Sequence, residues 1–224
     1  MAGESLPEDA LALVERQAER WADPRTQQRA QEQVRLAAQR ARASEPRVGG
    51  LLKQLEKAPR IQHRIFWLRQ LAEVFGESVG PHSACSAGCD ACCRQPVVLT
   101  QQEAEVIARE TGAPLHQPAT WSAKGDERYV AQPCSFLEDS RCTIYEHRPM
   151  VCRLMFSMDV DDLLCHRVPG ALSHMPYADY SQHKELYLRA HLGKVKSEEA
   201  LQAGLQQLKL ADIREFFPQG AGRR

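Results

Sequence analysis

The nine residues Cys85–Cys93, CSAGCDACC, hold four thiols, and two of them, Cys92 and Cys93, are immediate neighbours. No other stretch constrains the possible folds of the chain as tightly. All eight cysteines lie between Cys85 and Cys165, and the long flanking segments have none. Thiolates crowded in this way repel one another and are costly to ionise without a cation. A zinc ion or an iron–sulfur cluster supplies that charge, and its binding becomes folding energy, on the order of 10 kcal/mol for structural zinc. The crowding predicts a metal centre wrapped by this turn.

The competing reading, a disulfide framework, depends on the compartment. The N-terminal run MAGESLPEDALALVERQAER is acidic at its start and lacks a basic region before an apolar core, so it does not read as a signal peptide. No apolar run approaches the roughly 20 residues of a bilayer span. The expectation is a soluble, cytoplasmic protein. There, persistent disulfides are rare and clustered thiols bind metal or do redox chemistry. Lys plus Arg and Asp plus Glu each total 29, a formal charge of zero, which gives no reason to expect a nucleic-acid or membrane partner.

The first four thiols follow the pattern C-x3-C-x2-C-C, with Gly88 in the first gap, where a tight metal turn often needs a positive φ. The remaining four, Cys134, Cys142, Cys152 and Cys165, contain no two-residue knuckle. Tertiary structure must bring them in, which argues against a plain zinc ribbon or treble clef. Side chains of adjacent residues usually diverge, so one of Cys92 and Cys93 is expected to serve a second centre or to pack as a buried thiol. Eight thiols also divide into two sets of four, and one centre or two both stand. Thiolates suit zinc and iron–sulfur clusters alike, so the metal stays open. Arg94, Arg148 and Arg153 lie near ligand candidates, and donors of this kind offset the negative charge of a four-thiolate centre. Arg148 and Arg153 are the expected cofactor contacts, whereas Arg94 reads equally well as a surface ion pair. Pro149 is expected to hold the turn that delivers Cys152. His166 is a candidate nitrogen ligand, with His82 and His147 behind it. Asp159–Asp162, DVDD, reads first as a solvated loop and second as a source of oxygen ligands.

Outside the cysteine region the pattern is helical. Ser5 and Glu8 resemble a capping box before a first helix, and Asp23 with Pro24 starts a second. The second, Arg25–Ala43, has a thin apolar face of Ala30, Val34, Ala37, Ala38 and Ala41. Its arginines are diluted by glutamines, against a nucleic-acid arm. Pro46, Gly49 and Gly50 are expected to break the pattern. After Pro59, Ile61, Ile65, Leu68, Ala72 and Phe75 recur at helical spacing, widened by Phe66, Leu71 and Val74, with Gly76 as the stop and His63 on the surface. Thr100 and Glu103 form a second capping box for a helix ended by Gly112, and 113–132 should be loop with an extended piece at RYVA. Helices resume at Ser181, and the last is expected to run from Ser197 to Phe217 before a frayed tail. The fold class expected is mainly α: helical N- and C-terminal regions around an irregular, cysteine-rich, metal-bound core. Its divisions are a helical extension at 1–78, a metal-binding domain at 79–170, and a helical region at 171–224 packing on that core.

CSAGCDACC followed by PCSFLEDSRCTIYEHRPMVCRLMF resembles the zinc- or iron-chelating CxxCxxCC domain, the YkgJ-like cysteine-cluster family. The resemblance is carried by the cysteine-rich turn, Cys134 with Phe136 and Leu137, Cys142 with Ile144 and Tyr145, and Arg148-Pro149-x-x-Cys152-Arg153. It spans about Cys85 to Phe156. The first gap has three residues rather than two, and Cys165 lies outside the core pattern. The resemblance implies a metal or iron–sulfur centre, and the family's domain also occurs in a flagellin lysine methylase. It implies no settled reaction for a stand-alone member.

Three functions follow. The first is a metal-binding protein with a structural or electron-transfer centre. The second is a metal- or cluster-dependent enzyme of methyl transfer or oxidative modification. The third is an interaction module whose N-terminal helices bind a protein partner while the metal holds the fold. GAPLHQ, VGG and QGAG lack the strand–turn–helix setting of a nucleotide loop, and no Ser-His-Asp arrangement can be recognised.

Overall fold

Asp23 joins the first two helices, α1 (Glu8–Ala22) and α2 (Pro24–Arg42), in the computed structural model, which describes residues 7–172, 174–193 and 197–220. Its carboxylate accepts the Arg25 N–H, and Pro24 takes the first helical position, as predicted. Ser5 lies outside the described residues. Ala30 and Ala37 of α2 are buried and Val34 is exposed. The thin face packs on Val79, Met158 and Ala178, so α2 is seated on the core.

The expected break at Pro46–Gly50 does not occur, because α3 spans Glu45–Lys57. Pro46 stands in the first turn, where a missing N–H has no intrahelical partner to lose. Each glycine costs about 1 kcal/mol relative to alanine. Burial of Leu55, with Val48 and Leu51 packed against Leu68 and Leu71, outweighs that, since a fully buried leucine contributes about 1.5–3 kcal/mol.

Helix α4 (Ile61–Val79) buries Ile65, Leu68, Leu71, Ala72 and Val74, as its spacing predicts, and leaves His63 and Phe66 exposed. Gly76 does not end it. A Cβ there would lie 3.3 Å from the Phe156 ring, so the glycine admits that loop instead. The chain leaves α4 through a 3-10 turn at Gly80–His82. Leu11, Leu52 and Phe66 are exposed apolar side chains on α1, α3 and α4.

Beyond the cysteine turn, β1 (Val98–Thr100) leads into α5 (Gln101–Thr111), where Thr100 accepts the Glu103 N–H and Gly112 closes with φ 72°. Residues 113–132 are loop, but RYVA holds part of a 3-10 turn, Glu127–Tyr129, not an extended piece. A two-residue hairpin follows, β2 (Leu137–Glu138) and β3 (Arg141–Cys142), then α6 (Met150–Leu154).

After α7 (Ser181–Leu192), the expected last helix divides into α8 (Glu198–Gln207), β4 (Leu210–Asp212) and α9 (Ile213–Phe216). Strand β4 runs antiparallel to β1, with Leu99 opposite Ala211. Asp212 explains the break: its carboxylate accepts the Val97 N–H at 2.7 Å and the Arg214 N–H at 2.9 Å. Ile213, Phe216 and Phe217 then enter a core with Leu99, Ile107 and Phe136, overriding helix propensity. No described helix is long and apolar enough to cross a membrane.

Candidate metal centre

Six segments deliver the thiols. The turn through Cys85 and Cys89 holds Gly88 at φ 89°, with open space where a Cβ would stand. A 3-10 turn, Ala91–Arg94, carries Cys92 and Cys93. Cys134 is tied to that turn by its N–H on the Cys93 carbonyl, 2.7 Å. Cys142 sits on β3, and α6 carries Cys152, whose N–H donates to the Pro149 carbonyl at 3.1 Å. Cys165 ends a 3-10 turn, Leu163–Cys165, and Gln95 Nε2 holds its carbonyl at 2.7 Å. All eight cysteines line one cavity of about 1540 Å³. All are free; Cys85 and Cys92 are exposed and the other six are half-buried.

Among the described residues, no three His, Cys, Asp or Glu side chains converge closely enough to hold one ion as they stand. The thiols surround a space without being drawn to a point. Their chemistry nonetheless fits a thiophilic metal. Burial pushes the Cys134 thiol up to about 11 and Cys165 to about 12, and raises Cys89, Cys142 and Cys152. They therefore remain protonated near neutrality unless a cation replaces the proton. Cys92 is drawn the other way, first by a hydrogen bond from the Cys93 thiol and then by the charge of Arg148. The same bond raises Cys93 as its donor. Both neighbours, carried by the tight turn of 91–94, thus line the same cavity.

The two expected cofactor contacts differ in where they point. Arg148 stacks on the Tyr145 ring at 3.7 Å, donates to the Tyr145 carbonyl at 3.2 Å, and lines the cavity. Its charge favours thiolate at Cys92 and Cys142. Arg153 is buried and is not among the residues lining the cavity, bonding Glu73 and the carbonyls of Glu146 and Arg148. It braces the loop on which Arg148 and Pro149 stand. Arg94 pairs with Asp90 at 3.1 Å. His166 faces Asp162 at 3.2 Å and His147 faces Glu110 at 3.1 Å. His82 lies in the turn after α4. DVDD is only partly a solvated loop: Asp159 is buried and paired with Arg20 at 3.2 Å, and Asp161 meets the same arginine at 3.1 Å.

Glu103 has a role the sequence pattern hides. It does not close the expected capping box, because Tyr187 O–H takes the Thr100 N–H. The buried Glu103 carboxylate instead accepts the Met150 N–H at 2.8 Å and the Tyr187 hydroxyl at 2.7 Å. That fixes the start of α6, two residues before Cys152. No local signal could reveal a partner 84 residues away.

The molecule is thus a mainly helical protein built around a thiol-lined chamber. Residues 84–174 match the model of the CxxCxxCC family, "Putative zinc- or iron-chelating domain". The match extends past Phe156 and takes in Cys165, so all eight cysteines lie within it. No curated protein and no solved structure matches the chain.

Proposed function

We propose that the protein chelates zinc or iron, the latter as an iron–sulfur cluster, through the thiolates of this cavity, and that the centre staples the surrounding chain. The observation that carries this reading is the gathering of eight free thiols from six segments onto one cavity. Apolar packing alone gives no reason to assemble thiols in preference to alkyl side chains. Cys92, Cys93, Cys134, Cys142 and Cys152 would supply the main ligands, and Arg148 offsets their charge. When bound, the metal supplies positive charge that lets the buried thiols ionise. A cluster would add electron transfer to the structural role, and a zinc ion would not.

Anaerobic purification followed by elemental analysis and an ultraviolet–visible spectrum tests the proposal. Bound iron with thiolate-to-iron absorption, or a colourless protein with bound zinc, supports it. A folded, reduced chain that retains neither metal and takes up neither on titration overturns it.

A further inference from the structure

All eight thiols lie within residues 84–174, but a side chain that ties two thiol-bearing loops together lies well beyond them. Arg214, in α9, is 8% exposed. Its Nη2 donates to the Gln132 carbonyl at 2.7 Å and its Nε to the Pro133 carbonyl at 3.0 Å, directly before Cys134. On the other loop, Nη1 donates to the Gln95 carbonyl at 3.2 Å and Nη2 reaches the Cys93 carbonyl at 3.4 Å. Among the described residues, the Gln95, Gln132 and Pro133 carbonyls accept no backbone N–H, so the guanidinium supplies the donors they need. Two backbone bonds join the same loops: Cys134 N–H to the Cys93 carbonyl at 2.7 Å, and Ala131 N–H to the Arg94 carbonyl at 2.9 Å. Asp212 holds the guanidinium in place, with its side chain 2% exposed and Oδ1 3.0 Å from Nη1. The Tyr129 ring lies 5.1 Å from the Arg214 guanidinium carbon. Ile213, between Asp212 and Arg214, lines the thiol cavity itself.

We propose that Arg214 is a positioning residue for the metal centre, and that the cysteine domain is complete only with residues 210–217. The inference rests on the reading of the cavity as a chelating one. Arg214 acts through the backbone of the two loops, fixing the turn that carries Cys92 and Cys93 against the segment that carries Cys134. A buried ion pair is often no more stabilising than well-packed apolar side chains of the same volume. The pair with Asp212 is accounted for by the carbonyls it collects. Spanning two loops at once takes several donors in a rigid planar fork, which a lysine ammonium does not have. Strand β4 and Phe216 and Phe217 bring that fork to the loops, by pairing with β1 and by packing on Phe136, two residues after Cys134.

The test uses the full chain as purified under anaerobic conditions. Arg214→Lys keeps the charge but not the fork, and Asp212→Asn loosens the guanidinium while keeping one acceptor oxygen. Leu68→Ala serves as a variant destabilised through the α4 core. Circular dichroism checks each fold, hydrogen exchange reads the Cys134 and Ala131 amides, and a graded chelator titration reads metal affinity. Arg214→Lys should lose protection at both amides beyond any loss in α4, and should weaken metal binding about 10–100-fold, the scale of a lost supporting partner. Asp212→Asn should move both readouts the same way by less, and it carries the test if Arg214→Lys does not fold. Leu68→Ala should leave metal affinity unchanged. Parent-like exchange and affinity in the folded variants overturn the proposal. Lost protection with parent-like affinity assigns Arg214 to the fold alone, which overturns its role at the centre and leaves the chelating reading standing. A folded parent that binds no metal overturns that reading, and this role with it.

Discussion

The surroundings of α4 and of the thiol cavity are held together by different means. Around α4, Ile65, Leu68, Leu71 and Ala72 are at most 3% exposed, enclosed by α3, α6 and α7. Around the cavity, regular structure shrinks to a two-residue hairpin and the five-residue α6, and single hydrogen bonds such as Cys134 to Cys93 fix the backbone. One region can be stable through apolar burial. The other encloses a cavity of about 1540 Å³ and draws little from packing across it. A cation bound as proposed would close this difference, since metal binding to a site absent from the unfolded chain adds directly to folding.

Chelation is the strongest way to break the comparison. If structural metal contributes on the order of 10 kcal/mol, its removal should lower the melting temperature on the order of 20 °C or more for a chain of this size. Amide protection should vanish first between Cys85 and Cys165 and persist in α4, as measured by hydrogen exchange. Equal loss in both regions would show that they unfold as one unit. Leu68→Ala probes the other side. It should cost about 2–5 kcal/mol in denaturant unfolding while the folded variant keeps its full metal content.

What could be read in advance divides along the same line. Asp23–Pro24, the Leu68 stripe and the Thr100–Gly112 helix were legible because caps and 3.6-residue periodicity are local. Gly76 and Gly49–Gly50 misled, because a glycine marks a stop only where the chain needs its freedom. Gly76 is needed for Phe156, and the other two have open space around them. The cysteines announced a site, but not its layout. That the Cys134 N–H closes on the Cys93 carbonyl, or that Gln95 holds the Cys165 carbonyl, depends on contacts between distant segments. Strand β4 was hidden for the same reason, since its partner β1 lies more than a hundred residues earlier.

Glu103 couples the two regions, because it touches α7 through Tyr187 and α6 through Met150. Glu103→Ala leaves a buried N–H and a buried hydroxyl without that acceptor, at about 1–3 kcal/mol each. A total of about 2–4 kcal/mol is expected, below the simple sum because the Tyr187 hydroxyl keeps Thr100 Oγ1 at 3.1 Å, together with reduced metal retention, because α6 carries Cys152. Glu103→Gln keeps an acceptor oxygen and should cost about half as much. Lost stability with unchanged metal affinity would show that α6 is positioned by the cavity and not by Glu103.

The smallest effect is expected from the arginines, and it sharpens how far the centre extends. The Arg148 side chain is 15% exposed and stacked at 3.7 Å on Tyr145, with its charge acting on Cys92 and Cys142. Arg94 is 41% exposed and pairs only with Asp90 among the described residues. An exposed pair of that kind is worth about 0–1 kcal/mol, so Arg94→Ala should match the parent in melting temperature and metal content. Arg148→Ala should lose about 1–2 kcal/mol with the stacked contact and weaken metal binding about tenfold, the scale of a lost supporting partner. Arg148→Lys separates the two contributions. It keeps the charge near the thiolates but not the planar guanidinium that stacks on the ring. Metal affinity restored in Arg148→Lys with the melting temperature still low would assign the charge to the thiolates and the stacking to the loop. If Arg148→Ala behaves like Arg94→Ala in both measurements, the centre ends at its thiols, and Arg148 belongs to the surface.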